Sequence, residues 1–391
     1  MDELRVRAYN VRFGDAILVS IPDTDDTGSS VTRHMMVDFG NALATQGGLD
    51  DVFEPILDDV LDVTGGAPLD LYVMSHEHLD HIQGPLFAAE KHGKELTANA
   101  VWMPGSAHPN YYDTHPDAKK KKLEMLDTDE QIRKFVGADA GHPTLNMIML
   151  NNNPRATKDC VEKIRSMTAD GSDPVYVHRE LDAAGIHPFR DATIKVWAPE
   201  EDTSSYYGRF KRMALGMAGS TGGAKPGEES HLIPPSGVDA GAFFDLVGQR
   251  RTGLVENLFT IDKASNNSSV VFSLHWKGWV LLFPGDAEER SWKEMNREGR
   301  DVIELVHFLK VSHHGSHNGT PDDEILNKVL PEQAPDGRER TALVSTNPDA
   351  YPESVPDEPT LDEIERRVDV LHRTTSIPAA DFIDITFPAV G

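Results

Sequence analysis

Apolar residues along this chain fall into short runs that alternate with polar turns, with stretches of helical spacing between them. Leu4 to Tyr9, Ala16 to Val19 and Met35 to Asp38 are rich in Val, Ile and aromatic residues and are separated by Gly14-Asp15 and Asp23 to Asp26, which predicts a strand-rich N-terminal sheet. Val52, Ile56, Val60 and Leu61 follow a helical period, and Leu71 to Met74 is a short apolar run that ends where a His-rich segment begins. Val270 to Leu274 and Val280 to Phe283, joined at Gly278, predict a hairpin that delivers Asp286 at its exit. Leu305 to Val311 predicts a strand that delivers His313 and His314. Later strands are expected at Thr341 to Ser345 and Phe382 to Phe387, with a helix around Leu361 to Val368 between them.

Two stretches interrupt this pattern. Residues 105–190 are polar and helical in spacing, which predicts a helical insertion, and residues 201–257 are rich in Gly, Ser and Pro, which predicts a flexible loop. The expectation is a single α/β domain over residues 1–391 that carries both.

The composition is that of a water-soluble chain, 39% hydrophobic and 26% charged, with no apolar run long enough to span a membrane. No secretory signal is visible at Met1 to Arg5, and the single cysteine, Cys160, excludes a disulfide framework; both favour the cytoplasm. The net charge of −26 repels polyanions and argues against an extended grip on duplex nucleic acid. Local divalent cations can still attract phosphate against such a field.

The chemistry concentrates in Ser75-His76-Glu77-His78-Leu79-Asp80-His81, which places imidazoles and a carboxylate just after a strand. These are donors that zinc or manganese prefers. Alternation puts His76 and His78 on one side of an extended chain, while Asp80 and His81 can face a second ion. Asp286 after Pro284-Gly285 could bridge two cations, and the His313-His314 pair supplies a further donor. Taken singly, Asp286 would pass as a turn residue and the His pair as a surface or core feature; together at strand ends they mark a metal site.

Phe13-Gly14-Asp15-Ala16, Val37-Asp38-Phe39-Gly40, His76 to Gly84, Asn266 to Ser269, Leu282 to Asp286 and Leu309 to Ser316 occur in the order of the metallo-β-lactamase superfamily. The chain most resembles the branch containing the nuclease-like domain of the DNA-uptake channel protein ComEC and its free-standing relatives. The resemblance implies a four-layer α/β/β/α sandwich with two divalent metal ions, zinc first and manganese second, at one edge. It assigns His76 and His78 to the first metal, Asp80 and His81 to the second, and Asp286 to a bridging position. One of His313 and His314 would complete the second metal; His313 is the preferred ligand and His314 the preferred phosphate or oxyanion contact. A further His for the first metal has no clear match: His142 is the first candidate, with His108, His178 and His231 behind it.

Paired cations lower the pKa of a bridging water so that hydroxide is available near neutral pH, and Asp80 could help orient that nucleophile. The expected activity is a metal-dependent phosphodiesterase or nuclease acting on a single strand, an end or a nucleotide. The alternatives are a hydrolase of a carboxylic ester, lactone or amide, and a partner-gated effector that docks through its helical insertion. Arg209, Lys211, Arg212, Arg250 and Arg251 are the basic residues expected near a phosphate. Lys119 to Lys122 reads as a solvated helix face, and the five tryptophans as core.

Overall fold

The computed structural model of the protein describes residues 2–46, 49–137, 143–211, 253–351 and 355–389. It is an α/β structure built on two mixed sheets. The first holds β1 (Glu3–Tyr9), β2 (Ala16–Thr24), β3 (Ser30–Phe39), β4 (Leu71–Val73), β5 (Val101–Pro104), β6 (Val175–Val177) and β13 (Phe382–Pro388), in the order β13-β1-β2-β3-β4-β5-β6. The second holds β7 (Ala192–Ala198), β8 (Val271–Trp276), β9 (Trp279–Phe283), β10 (Phe308–Lys310), β11 (Thr341–Val344) and β12 (Val370–Arg373), in the order β12-β11-β10-β9-β8-β7.

Connection length decides strand direction. Short turns make antiparallel neighbours, as at Lys277-Gly278, where both residues have positive φ and Trp276 pairs with Trp279 across a two-residue turn. Helical crossovers make parallel ones: α1 (Phe53–Val63) and α2 (Leu79–His92) lie between strands of the β3-β4-β5 run. In the second sheet α8 (Glu289–Met295), α9 (Asp323–Val329) and α10 (Glu358–Glu365) lie between strands of the β9-β10-β11-β12 run.

The strands alternate as their sequence predicts. Ile17, Val19, Met35 and Val37 meet Phe272, Leu274, Leu281 and Phe283 in a core between the sheets. The opposite face of the first sheet carries Leu18, Met36 and Tyr72 under Phe53, Ile56, Ile82 and Ile164 of helices. That of the second carries Val271, Leu282 and Val344 under Trp292, Leu326 and Leu361. All five tryptophans are buried, as expected.

The stretch read as one insertion, 105–190, divides in two. Helix α6 (Pro154–Arg165) covers the first sheet through Cys160, Val161 and Ile164, and β6 belongs to that sheet. Its amphipathic spacing reveals a helix but not which surface it covers. The short helix α3 (Tyr111–Thr114), with α4 (Pro116–Val136), α5 (Pro143–Asn151) and α7 (Leu254–Asn266), builds a separate cluster around Met125, Ile132, Ile148, Leu258 and Ile261. The expected loop 201–257 therefore contributes the start of a helix at its end, and the rest of its Gly-rich part, 212–252, lies outside the described residues. On α4, Lys119 and Lys120 are exposed, but Lys121 donates to Ser204 O and Lys122 turns toward Glu77 at 3.7 Å.

Candidate metal centre

The His-rich segment leaves β4 as an extended chain and enters α2, with His78 as the residue before the first turn and Asp80 and His81 inside it. Two glycines make this path possible. A side chain on Gly14 would place its Cβ 2.3 Å from the Asp80 carbonyl oxygen. One on Gly40 would come within 2.4 Å of Asp80 C and His81 N. Backbone hydrogen bonds from Asp15 N to Asp80 O (2.9 Å) and from Gly40 N to Asp15 O (2.9 Å) fasten the three loops together.

The second sheet brings the remaining groups to the same seam. Asp286 follows β9 through the positive-φ Gly285, and His314 follows β10 in a run of three left-handed residues, His313 (φ 49), His314 (φ 53) and Gly315 (φ 81). Two non-glycine residues in that region cost on the order of 1 kcal/mol each or more, so packing around them must hold them there. Phe13 does part of this, with its ring 4.5 Å from that of His314.

Asp80, His81, Asp286 and His314 converge, with one donor atom from each lying within 4.8 Å of the others, and all four are buried. His81 Nε2 is 3.2 Å from Asp286 Oδ2, and His314 Nε2 is 3.1 Å from Asp80 Oδ2 and 3.2 Å from Asp286 Oδ2. These four could hold a divalent cation. Each imidazole is prepared for it from behind. His81 Nδ1 is 2.8 Å from Asp38 Oδ2, and His314 Nδ1 is 2.8 Å from the Ser345 carbonyl oxygen. A carboxylate and a carbonyl can only accept, so Nδ1 carries a proton in both rings and Nε2 is the nitrogen that faces the cluster, free to bind a cation once its own proton is lost.

His76 and His78 lie alongside, with the His76 ring 4.2 Å from that of His81 and 4.7 Å from that of His78. Ser75 Oγ is 3.0 Å from His76 Nδ1, and His76 Nε2 is buried without a hydrogen-bond partner. His78 Nε2 is 2.8 Å from Asn152 Oδ1, whose amide nitrogen donates to Asp262 Oδ1 at 2.8 Å. Nε2 therefore carries the proton and Nδ1 is the lone-pair nitrogen.

The electrostatics describe a pocket that requires positive charge. Asp15, Asp38, Asp80 and Asp286 are all buried, against one buried lysine, Lys310, which bonds Asp15 and sits 3.4 Å from Asp286 Oδ1. Burial pulls the His314 pKa down, but Asp286, Asp80 and Asp15 more than reverse this and raise it to about 9. His81 is likewise pushed well above the ordinary imidazole range: burial lowers it, and Asp286, Asp80 and Asp38 outweigh that. Burial raises the Asp286 carboxyl, yet the charges of His314, His81 and Lys310 hold it well below its usual range. His76 moves the other way, lowered by burial and by its imidazole neighbours. Without a cation, protons on His81 and His314 supply the missing charge.

His314, rather than the preferred His313, joins the four-residue group, because the left-handed backbone turns the two rings apart, with centroids 6.4 Å from each other. His313 instead meets Asp262 and Glu288. Of the candidates for a third first-metal ligand, the two that are described, His108 and His178, are not in the group. His108 packs on Tyr176 and accepts from Asn110 N, His178 faces Glu180, and His142 and His231 lie outside the described residues.

Of the basic residues expected near a phosphate, Arg209 and Lys211 are exposed, Lys211 facing Glu256 at 3.4 Å, and Arg212, Arg250 and Arg251 lie outside the described residues. Lys310, Asp15 and the Asn151-Asn152 pair have functional positions that sequence reasoning did not assign. Lys310 left one signal, a charge set between the apolar Phe308-Leu309 and Val311.

A cleft of about 140 Å³ opens onto Asp80, His313 and His314. Its walls carry Phe13, Ile148 and the half-exposed Phe259, with Lys263, Ser316 and Asn318 at the polar side. The sequence matches no protein-family model and no curated protein, so what the site can do rests on its own geometry. Among the described residues no helix is long and apolar enough to cross a membrane.

Proposed function

We propose that the protein is a metal-dependent hydrolase of the metallo-β-lactamase arrangement, with a phosphodiester as its substrate. The observation that carries this reading is the buried convergence of Asp80, His81, Asp286 and His314, each imidazole oriented by an acceptor on its far nitrogen. The two sheets, with helices over their outer faces, fit the four-layer sandwich. Asp80, His81, Asp286 and His314 would hold one ion, and His76 through Nε2 and His78 through Nδ1 would contribute to a second. The mixed nitrogen and oxygen donors suit zinc, and manganese next.

When bound, such ions supply Lewis acidity, making water acidic enough to give hydroxide near neutral pH and drawing charge from a departing oxygen. The chain's own part is to hold and orient. Asp38 and Ser345 fix the imidazole tautomers, Lys310 pairs with Asp15 and helps hold Asp286 ionised, and Asp80 faces the cleft where the attacked group would lie. Lys263, Ser316 and Asn318 offer a cation and hydrogen-bond donors to phosphoryl oxygens, and Phe259 a face for a base. The cleft's small volume favours a nucleotide or a single-strand end over a duplex, in keeping with the net charge of −26. A carboxylic ester or lactone is the second reading, favoured by the apolar wall of Phe13, Ile148 and Phe259.

The test is hydrolysis of bis-p-nitrophenyl phosphate by metal-stripped protein reconstituted with zinc or manganese, beside Asp286→Ala. Turnover that needs metal and disappears in the variant is the expected result. No turnover with metal demonstrably bound, together with cleavage of an ester or lactone panel, would overturn the phosphodiester assignment.

A further inference from the structure

A second group of metal-type donors adjoins the same cleft, which two of its members, Asp262 and His313, help to line. Asp262 from α7, Glu288 after β9 and His313 after β10 bring one donor atom each within 4.8 Å of one another. Asp262 and Glu288 are buried, which is costly for two like charges unless something positive lies between them. Lys263 lines the cleft nearby, but its side chain is exposed.

What occupies the centre of the group is the amide of Asn266, a side chain fully shielded from solvent. Its Nδ2 is 2.8 Å from Glu288 Oε1, 3.3 Å from His313 Nε2 and 3.5 Å from Asp262 Oδ2. An amide nitrogen thus makes three approaches toward acceptors, a position that suits a cation. The other end of the amide, Asn266 Oδ1, is buried with no hydrogen-bond partner, and so is His313 Nδ1, which stands 3.6 Å from Glu288 Oε1. An amide turned by half a rotation exchanges O for N at nearly the same shape. In that orientation Oδ1 would face Glu288, Asp262 and His313, which is repulsive alone and favourable around a cation.

Further features hold the donors in place. Asp262 Oδ1 is fixed by Asn152 Nδ2, the same amide that orients His78. His313 keeps its left-handed backbone, and Gly319 leaves room for it, since a Cβ there would stand 2.7 Å from His313 Cβ.

We propose that Asp262, Glu288, His313 and the Asn266 carbonyl form a separate site for an oxygen-preferring divalent cation such as manganese, distinct from the Asp80–Asp286 centre. Two carboxylates, an amide oxygen and one imidazole are a harder donor set than the two carboxylates and two imidazoles of the first centre. Its position on the cleft puts this cation where it can meet an anionic group of a bound molecule, and its existence does not depend on the hydrolytic reading.

The experiment counts manganese ions per chain by mass spectrometry of equilibrated full-length protein, with titration by calorimetry. Glu288→Gln and Asp262→Asn should each hold one ion fewer than the parent, while Asp286→Asn should lose ions yet keep this one. Asn266→Asp adds a carboxylate at the centre and should tighten manganese binding about tenfold, by the dependence of affinity on ligand charge. That variant keeps the test open if the others fold poorly. Parent-like ion counts in Glu288→Gln and Asp262→Asn, or unchanged affinity in Asn266→Asp, would overturn the assignment.

Discussion

Lys310 offers the sharpest test of the charge balance at the metal centre. Its ammonium is buried at the seam, bonded to Asp15 and 3.4 Å from Asp286, with Asp38 close enough to raise its pKa further against the lowering effect of burial. Lys310→Met keeps most of the volume and removes the charge. Breaking a buried pair by deleting one partner costs roughly 3–5 kcal/mol, because the remaining charge stays buried. Unfolding entropy of roughly 2.1 cal/mol/K per residue gives about 0.8 kcal/mol/K for a chain of this length, so the metal-free variant should melt about 4–6 °C below the parent. A divalent cation beside Asp286 would take over one of the lysine's two carboxylates, and only Asp15 would then lack its partner. The difference between variant and parent should therefore shrink, without vanishing, when zinc is in excess. The assay is thermal unfolding of both proteins in EDTA and in zinc. A variant that melts within about 1 °C of the parent in EDTA, or one whose deficit is the same with and without zinc, would refute the reasoning.

Three further outcomes follow from the same geometry. Asp38→Asn leaves a single acceptor for Ser75 N and His81 Nδ1 and should weaken zinc binding about 10–100-fold in a chelator competition, whereas an affinity within twofold of the parent would show that the Asp38 carboxylate does not orient the ring. Gly40→Ala forces a methyl onto the Asp80–His81 backbone and should cost about 1–3 kcal/mol by denaturant unfolding while also weakening metal binding. A variant with parental stability would mean the loops have room to part. In the metal-free protein the raised pKa of His314, about 9, means its proton stabilises the fold fully below the ordinary imidazole pKa, and that contribution is lost as pH rises through 9. Zinc competes for the same nitrogen, so the gap in melting temperature between zinc-loaded and EDTA-treated protein should widen from pH 6.5 to 9, and a narrowing gap would contradict the assignment.

Much of the site was legible because its donors follow strands whose apolar runs are unambiguous: β4 before His76, β9 before Asp286, β10 before His314. The choice between His313 and His314 was not legible. It depends on two successive left-handed residues, and alternation along a strand says nothing about a backbone that has left the strand region. Asp262 and Asn152 were invisible for a different reason, since each reaches the site through helix packing between segments far apart in sequence, and Glu288, two residues past Asp286, passed as a helix-start carboxylate. The helical stretch shows the same division: spacing identified α4 and α6 as helices, but only the packing of Ile164 under the first sheet and of Ile132 against α7 separates their roles.

The donors of the metal centre come from both sheets, Asp80 and His81 from the first and Asp286 and His314 from the second. An ion held by all four is a rivet across the main hydrophobic seam of the molecule. It cannot be fully gripped until the two halves have docked in register, so its affinity measures the quality of that docking. A substitution deep in the shared core, at Phe272 or Val37, that tilts one sheet against the other would be felt as a looser ion long before any donor was altered. A metal bound there would make distant core packing a determinant of the site at the edge, and would tie the assembly of the fold to the supply of the ion.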